Sequence, residues 1–246
     1  MAATRRRRRV RRLSVAALAL GLLGAAGFVV WAEHPMRAEA APLAAVRADH
    51  AVAYRDEGDV VLAPRRPSGT GLVLLAGARV DAPAYAAKLA GVADAGTTVV
   101  IVRPLLNFAL LDPRPLSAFE AAAPHVRHWY VGGHSLGGVR ACRYAADDAR
   151  VEGLVLLGSY CADDLSSRRL RVLSIGGSRD GLSTPAKIAA ARHLLPASAR
   201  LVQLPGASHA SFGDYGVQPG DGTPTASDAE VERTITAELT AFLAPR

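Results

Sequence analysis

Apolar runs rich in Val, Leu and Ile alternate with longer amphipathic segments through most of the chain. Apolar runs of this kind, bounded by turn residues, are typical of strands that a parallel sheet buries on both faces. They predict strands at 71–76, 97–102, 129–131, 153–157, 172–175 and 200–204, and the segments between them predict helices at 82–94, 117–123, 136–146, 185–193 and 226–243. Two further runs, 51–54 and 59–63, predict edge strands that meet at Glu57 and Gly58. The alternation indicates an α/β fold with a mostly parallel sheet and helices on both faces.

The first 50 residues follow a different pattern. Residues 13–32 form an uncharged apolar run, long enough for one helix to cross the hydrocarbon core of a bilayer. A basic tail, residues 1–12, precedes it, and residues 33–50 lack any period and predict a tether. We therefore divide the chain into a cytoplasmic tail, a membrane anchor or signal sequence, a tether, and a catalytic domain at 51–246.

The charges around the apolar run orient it. Arginines precede it and Glu33 follows it, which places the N-terminus in the cytoplasm and the domain outside, with Trp31 at the outer interface. A cleaved signal peptide with Ala38-Glu39-Ala40 as its cleavage site is the alternative, and Arg11-Arg12 could open a twin-arginine export signal. The run exceeds the about 7–15 apolar residues of a signal peptide, which favours an uncleaved, single-pass anchor. All three interpretations export the domain.

The net charge of +7 is local to the tail. Seven of the 29 basic residues lie within residues 5–12, and the remaining ones balance the 22 acidic residues. The rest of the chain has no basic stripe that could follow a phosphate backbone, which argues against a nucleic-acid partner.

Two cysteines, Cys142 and Cys161, fit an oxidising compartment. They could form a disulfide or remain two small, free core residues, and the sequence leaves both options open. No set of Cys and His residues has the spacing of a zinc site, so we expect no metal.

The candidate chemistry begins at Gly133-His134-Ser135-Leu136-Gly137, a G-x-S-x-G sequence between a predicted strand and a predicted helix. In this context the motif is a nucleophile elbow: a sharp turn that exposes the serine hydroxyl, with glycines where side chains would collide. We therefore predict Ser135 as a nucleophile and His134 as a packing residue.

A serine needs a base to accept its proton and a carboxylate to orient that base. The elbow motif is followed by its partners in the order acid, then histidine. Asp180 follows a buried strand and His209 follows the last strand, so both are expected at the carboxyl edge of the sheet. Asp163 or Asp164, after the preceding strand, is the alternative acid.

An oxyanion hole requires two backbone N–H groups aimed at one point. We predict the N–H of Leu136, at the start of the elbow helix, and that of Ala78, in the loop after the first long strand. Arg79 is the alternative to Ala78 in the same loop.

Three segments together, 131–138, 177–181 and 208–216, resemble the α/β-hydrolase superfamily. The resemblance is closest to a compact bacterial, often membrane-tethered branch that is likened to dienelactone hydrolases, and it covers about residues 71–243. It implies an α/β-hydrolase fold, a Ser-Asp-His triad and no cofactor. Dienelactone hydrolases use a cysteine nucleophile where this chain has Ser135, so their substrate is not carried over.

Only about a dozen residues, 160–170, lie where proteins of this architecture usually insert a cap domain. We expect no cap domain and an open site. The favoured function is an extracytoplasmic serine hydrolase that cleaves small-molecule carboxylic esters, or related acyl bonds, through an acyl-enzyme on Ser135. An acyltransferase with the same triad and an anchored, non-catalytic binding module are the alternatives.

Overall fold

The computed structural model describes residues 2–244 and the side chains of residues 13–244. Eight strands form one sheet in the order β1-β2-β4-β3-β5-β6-β7-β8. Their bounds are β1 Val52–Glu57, β2 Asp59–Pro64, β3 Thr70–Leu75, β4 Thr98–Val102, β5 His128–His134, β6 Gly153–Leu157, β7 Arg171–Gly177 and β8 Arg200–Leu204. Strand β2 is antiparallel to both β1 and β4, and the six strands from β4 to β8 in the sheet run parallel. This is the mostly parallel sheet that the apolar runs predict.

Helices connect the strands and cover both faces of the sheet. They are α1 Ala2–Ala32, α2 Ala40–Ala48, α3 Ala86–Asp94, α4 Leu116–Glu120, α5 Leu136–Asp147, α6 Pro185–Ala190 and α7 Asp228–Leu243. Side chains of α2, α3 and α7 share one apolar core with the sheet, and those of α4 and α5 share the other. Strand β3 shows why a continuous apolar run is needed, because Leu72 and Leu74 enter the first core while Val73 and Leu75 enter the second.

The segment 33–50 differs from the tether expected at these positions. It contains the helix α2, whose Val46 is buried in the first core. Upstream of α2, Met36 forms a parallel bridge with Val80, and the Glu39 N–H donates to the Asp214 carbonyl at 2.8 Å. Burial of one side of this Ala-rich segment against the domain orders it, and a sequence pattern with so few large apolar residues does not reveal that.

The connection from β6 to β7 is a loop. Residues 158–170, all within the described part of the chain, contain no helix or strand. No cap domain is inserted at this point.

The helix α1 contains the apolar run Leu13–Ala32, which has a mean hydropathy of 2.3 and is long enough to cross a membrane. A signal sequence has the same properties. The leucines of this run are more than half exposed, so the domain does not use it as a core helix.

Candidate active site

Ser135 occupies a sharp turn between β5 and α5. Its backbone has φ 51° and ψ −123°, a region that residues with a side chain rarely adopt. A side chain at Gly133 would lie 2.2 Å from the backbone of Gly137, and one at Gly137 would collide with the backbone oxygens of residues 75 and 76. The turn therefore needs glycine at both positions, and this close approach sets the start of α5 against the end of β3.

Two hydrogen bonds hold the backbone of this turn. The Ser135 N–H donates to the Leu157 carbonyl at 3.1 Å, and the Ser159 hydroxyl donates to the Ser135 carbonyl at 2.6 Å. Leu157 is the last residue of β6 and Ser159 lies just beyond it, so the neighbouring strand supports the strained conformation of Ser135.

His209 and Asp180 meet in the protein interior, at the carboxyl edge of the sheet, where Ser135 also lies. The Nδ1 atom of His209 lies 2.8 Å from Oδ2 of Asp180, and both side chains are fully buried. The other carboxylate oxygen of Asp180 accepts the N–H groups of Leu182 at 2.8 Å and Ser183 at 2.7 Å. The backbone turn that follows Asp180 therefore holds the carboxylate in place, and the carboxylate orients the imidazole of His209.

The second nitrogen of the His209 ring is the unusual atom. Within residues 13–244, Nε2 of His209 is buried and has no hydrogen-bond partner. An unpaired buried polar atom is costly, and structures keep few of them. The imidazole ring lies beside the ring of His134, the residue before Ser135, with 4.5 Å between centroids. The atom is thus held beside the elbow, free to accept a proton.

The alternative acids do not reach His209. Asp163 forms a half-exposed ion pair with Arg143 at 3.5 Å, and Asp164 accepts the N–H of Ser166 in its own turn. The carboxylate that contacts the imidazole of His209 is that of Asp180, which follows β7.

His134 does more than pack. It links Tyr85, in the loop before α3, to the backbone of His209: its Nδ1 lies 2.9 Å from the Tyr85 hydroxyl, and its Nε2 lies 3.1 Å from the His209 carbonyl oxygen. A carbonyl only accepts, so Nε2 of His134 carries the proton and Nδ1 accepts from Tyr85. The Tyr85 oxygen accepts in turn from the Gly77 N–H at 2.9 Å.

This chain of three hydrogen bonds needs a neutral His134. Burial lowers the pKa of His134 well below its usual value, and the ring of His209 lowers it further. Burial likewise raises the pKa of Tyr85, which keeps its hydroxyl protonated. The loop after β3, the residue before Ser135 and the His209 loop are therefore joined through uncharged groups.

Asp221 joins the two loops that carry Asp180 and His209. Its carboxylate accepts four backbone N–H groups: those of Gly181 and His209 at 3.0 Å, Ala210 at 2.8 Å and Gly222 at 2.7 Å. Burial alone would raise the pKa of Asp221, but these hydrogen bonds favour the charged form and the net pKa is lowered. The sequence places Asp221 in a Gly-rich loop after His209, where it either lines the pocket or forms a turn, and it does not reveal these contacts because backbone donors leave no pattern in the sequence.

The loop after His209 is also attached to α3. Lys88, almost fully buried, forms ion pairs with Asp214 at 2.7 Å and with Asp228 at 3.0 Å. Burial lowers the pKa of Lys88, but the two carboxylates outweigh it and the net pKa is raised. The ammonium therefore stays charged and holds this loop in place.

The two backbone donors expected of an oxyanion hole lie at adjacent ends of β3 and β5. Leu136 is the first residue of α5, so its N–H has no acceptor within the helix. In the loop 77–80 the N–H of Gly77 is bound by Tyr85, that of Arg79 by the Asn107 carbonyl, and that of Val80 by the Gly77 carbonyl. Among these described residues, Ala78 alone keeps a free N–H, which favours it over Arg79.

The Alpha/beta hydrolase family is the family whose sequence model matches this chain, over residues 71–233. The chain belongs to the alpha/beta hydrolase family. The match runs from Gly71 in β3 to Arg233 in α7 and so contains Ser135, Asp180 and His209. It confirms the resemblance to the α/β-hydrolase superfamily and the fold class that the sequence indicates. As an alpha/beta hydrolase, the chain is an enzyme of the hydrolase class.

Solved structures share the architecture of this hydrolase. TT1662 from Thermus thermophilus is 17% identical, with a TM-score of 0.57 over 79% of this chain and 99% of that one. The esterase domain of a Rhodothermus marinus protein is 13% identical, with a TM-score of 0.55 over 75% and 90%. A ferulic acid esterase from Streptomyces cinnamoneus is 21% identical, with a TM-score of 0.53 over 72% and 66%. At these identities the likeness is one of fold. No curated protein matches the sequence.

Two remaining features of this hydrolase concern its cysteines and metals. Cys142 of α5 and Cys161, in the loop after β6, are joined in a disulfide with 5.6 Å between their Cα atoms. Across residues 13–244 no group of three or more His, Cys, Asp or Glu side chains is arranged to hold a metal ion.

Proposed function

We propose that this hydrolase cleaves carboxylic esters, with Ser135 as nucleophile, His209 as general base and Asp180 as the group that orients the imidazole. The observation that carries the proposal is the buried, unpartnered Nε2 of His209, whose Nδ1 is bound by a buried carboxylate and whose ring lies beside the elbow. Such an atom is suited to take a proton from the serine hydroxyl when the substrate enters, because catalytic hydrogen bonds often close only in the complex.

The reaction then follows from the groups at the site. The Ser135 oxygen attacks the ester carbonyl as its proton passes to Nε2 of His209, and the N–H groups of Ala78 and Leu136 stabilise the oxyanion. The imidazolium returns its proton to the departing alcohol, which leaves an acyl-Ser135. Water, activated by the same imidazole, releases the acid and restores the hydroxyl.

We propose further that the domain acts outside the cytoplasm on an uncleaved anchor. The disulfide supports an oxidising compartment. Cleavage at Ala38-Glu39-Ala40 would cut the chain at the start of α2 and remove Met36, which is paired with Val80. A segment so attached to the domain is better suited to remain than to be discarded.

Labelling with a fluorophosphonate tests the nucleophile. This probe reacts with an activated serine, so wild type should be labelled and Ser135→Ala should not. Ser167→Ala, which removes an exposed serine beyond β6, is the matched control and should label like wild type. Equal labelling of wild type and Ser135→Ala would overturn the proposal.

The acyl acceptor separates a hydrolase from an acyltransferase. With short-chain nitrophenyl esters in water containing an alcohol, a hydrolase yields the free acid as its main product. Predominant transfer to the alcohol at low alcohol concentration would favour the acyltransferase, and no turnover of any ester would favour a binding module.

A further inference from the structure

The end of α1 is bound to the loops that surround the candidate site. The Asn107 amide donates to the Ala32 carbonyl at 2.9 Å, and Arg79 donates to the carbonyls of Trp31 at 3.1 Å and His34 at 2.6 Å. The carbonyls of Trp31 and Ala32 are among those that a helix leaves without partners at its C-terminus, and His34 follows the helix. Loops following β3 and β4 supply the missing donors, so the apolar helix is attached to the catalytic domain at a defined position.

Aromatic contacts extend this attachment down the helix. The ring of Phe108 packs against those of Phe28 and Trp31, with centroids 5.6 and 5.7 Å apart, and the Arg79 guanidinium lies over the Trp31 ring at 4.1 Å. Arg79, Leu106 and Asn107 all adopt φ values near 55°, a left-handed conformation that is costly for residues with side chains. Strain of this kind persists only where surrounding contacts hold it.

The contacts of Phe108 with α1 determine how deep Phe108 lies in a membrane that α1 spans. The apolar run Leu13–Ala32 spans about 30 Å as a helix, which equals the thickness of the hydrocarbon core. Phe28 lies four residues before the end of the run, about 6 Å along the axis. When α1 spans the membrane, Phe108 therefore lies at the boundary between acyl chains and headgroups.

The residues around Phe108 suit that boundary. We call residues 105–111 the apolar loop. Leu105, Leu110 and Leu111 in it are 52%, 48% and 46% exposed, and they are three of the five large apolar side chains that the described residues expose outside α1. Apolar side chains on interfacial segments enter the headgroup boundary to a depth of about 5–10 Å.

The apolar loop also borders the candidate site. The Arg79 N–H, next to Ala78, donates to the Asn107 carbonyl at 2.8 Å, and Arg140 of α5 donates to the Asp112 carbonyl at 3.2 Å. The apolar loop and Asp112, the residue that follows it, therefore contact both elements that carry the proposed oxyanion donors, those of Ala78 and Leu136.

We propose that the apolar loop rests in the outer leaflet of the membrane that α1 spans, and that the site takes esters whose acyl chains lie in that leaflet. The choice of substrate class rests on the proposed function; the position of the loop does not. A lipid surface is the occupant because the leucines are continuous with a helix of membrane-spanning length.

A fluorescence-quenching experiment measures the depth of the apolar loop in the membrane and requires no catalytic activity. The full chain carrying Leu110→Cys is labelled with an environment-sensitive fluorophore and reconstituted in vesicles of phosphatidylcholine and phosphatidylglycerol that contain nitroxide-labelled lipid. Its native cysteines are paired and do not react. We expect several-fold stronger quenching at position 110 than at position 201, an exposed leucine of the edge strand β8 labelled through Leu201→Cys. Equal quenching would overturn the position of the loop.

Substrate class is measured with two esters in the same vesicles. Replacing Leu105, Leu110 and Leu111 together by Ser should lower hydrolysis of a vesicle-borne umbelliferyl palmitate by about tenfold or more, because three apolar anchors are lost. Hydrolysis of water-soluble nitrophenyl butyrate should change little, and Leu201→Ser should change neither. Equal effects on the two esters, or no effect on either, would overturn the substrate class. If wild type cleaves neither ester, the proposed function fails and the depth measurement still stands.

Discussion

At the scale of single residues, the candidate site depends on carboxylates that hold backbone segments in place by accepting their N–H groups. Asp180 uses one oxygen for the imidazole and the other for its own turn, and Asp221 uses both oxygens for the two loops that carry Asp180 and His209. Among the described residues, the Asp221 carboxylate makes no hydrogen bond to the side chains of Ser135, Asp180 or His209, so its effect is one of positioning.

Asp221→Asn should therefore lower kcat more than it raises KM. The amide keeps one acceptor oxygen and presents an NH2 group to N–H donors, which loosens the His209 loop without touching the substrate. Asp94→Asn, an exposed position at the end of α3, is the control. Steady-state kinetics with a soluble ester measures both constants, and an unchanged kcat would show that Asp221 has no positioning role.

The same substitution has a pH signature. The pKa of Asp221 is lowered in the folded protein, so its contribution to stability is complete above the unfolded carboxyl pKa, about 3.9, and is lost as pH falls through the folded value. The gap in unfolding free energy between wild type and Asp221→Asn should therefore narrow on acidification below about pH 4. Urea unfolding from neutral to acidic pH measures it, and a gap that widens in acid contradicts the account.

Local spacing predicts some of these residues and misses others. Ser135, Asp180 and His209 stand in short motifs that follow strands, so the sequence predicts them as candidates, and the fold brings Asp180 and His209 into contact. Tyr85 and Asp221 act on partners up to 49 and 40 residues away, partly through backbone groups that any sequence supplies. Their roles emerge only when the loops are folded together.

At the scale of elements, the disulfide links the elbow helix to the loop after β6. Cys142 lies within α5, and Cys161 follows the strand whose end supports the Ser135 backbone. The disulfide therefore connects α5, which follows Ser135, to the segment after β6, which binds the Ser135 backbone.

Replacing both cysteines by Ala should lower the free energy of unfolding by about 2–4 kcal/mol, as for a loop of this size. Denaturant unfolding of oxidised wild type and the double variant measures the difference. Added reductant should destabilise wild type to a similar extent and leave the variant unchanged. Equal stability of the two proteins, with or without reductant, would contradict this role.

Element boundaries follow the sequence best where turn residues border a strand on both sides, whether the strand is buried like β6 or mostly exposed like β8. The strands β6 and β8 begin and end at the predicted residues, because each apolar run is bounded by turn residues. The sequence predicts a tether over residues 33–50, and the structure has the helix α2 within that segment. Its order comes from Val46 packing against the rest of the domain, a contact that no local period indicates.

At the scale of the whole molecule, the sheet topology brings together segments that are distant in sequence. Parallel strands end at one edge, so the turns after β3, β5, β7 and β8 converge there. The family match and the fold belong to this scale. The alternation of apolar runs and helices predicts the parallel sheet, and the resemblance of the three segments 131–138, 177–181 and 208–216 implies the family. The attachment of α1 to this edge is a contact between distant segments, which the sequence alone does not predict.

The central claim is that Ser135 and His209 act as one unit, and a double-mutant cycle tests it most directly. Rates of ester hydrolysis are measured for wild type, Ser135→Ala, His209→Ala and the double variant. Residues of a triad are strongly non-additive, so each single change should lower kcat by about 10⁴-fold or more and the double variant should be no slower than the slower single variant. Losses that multiply in the double variant, or a single variant with near wild-type rate, would contradict the account.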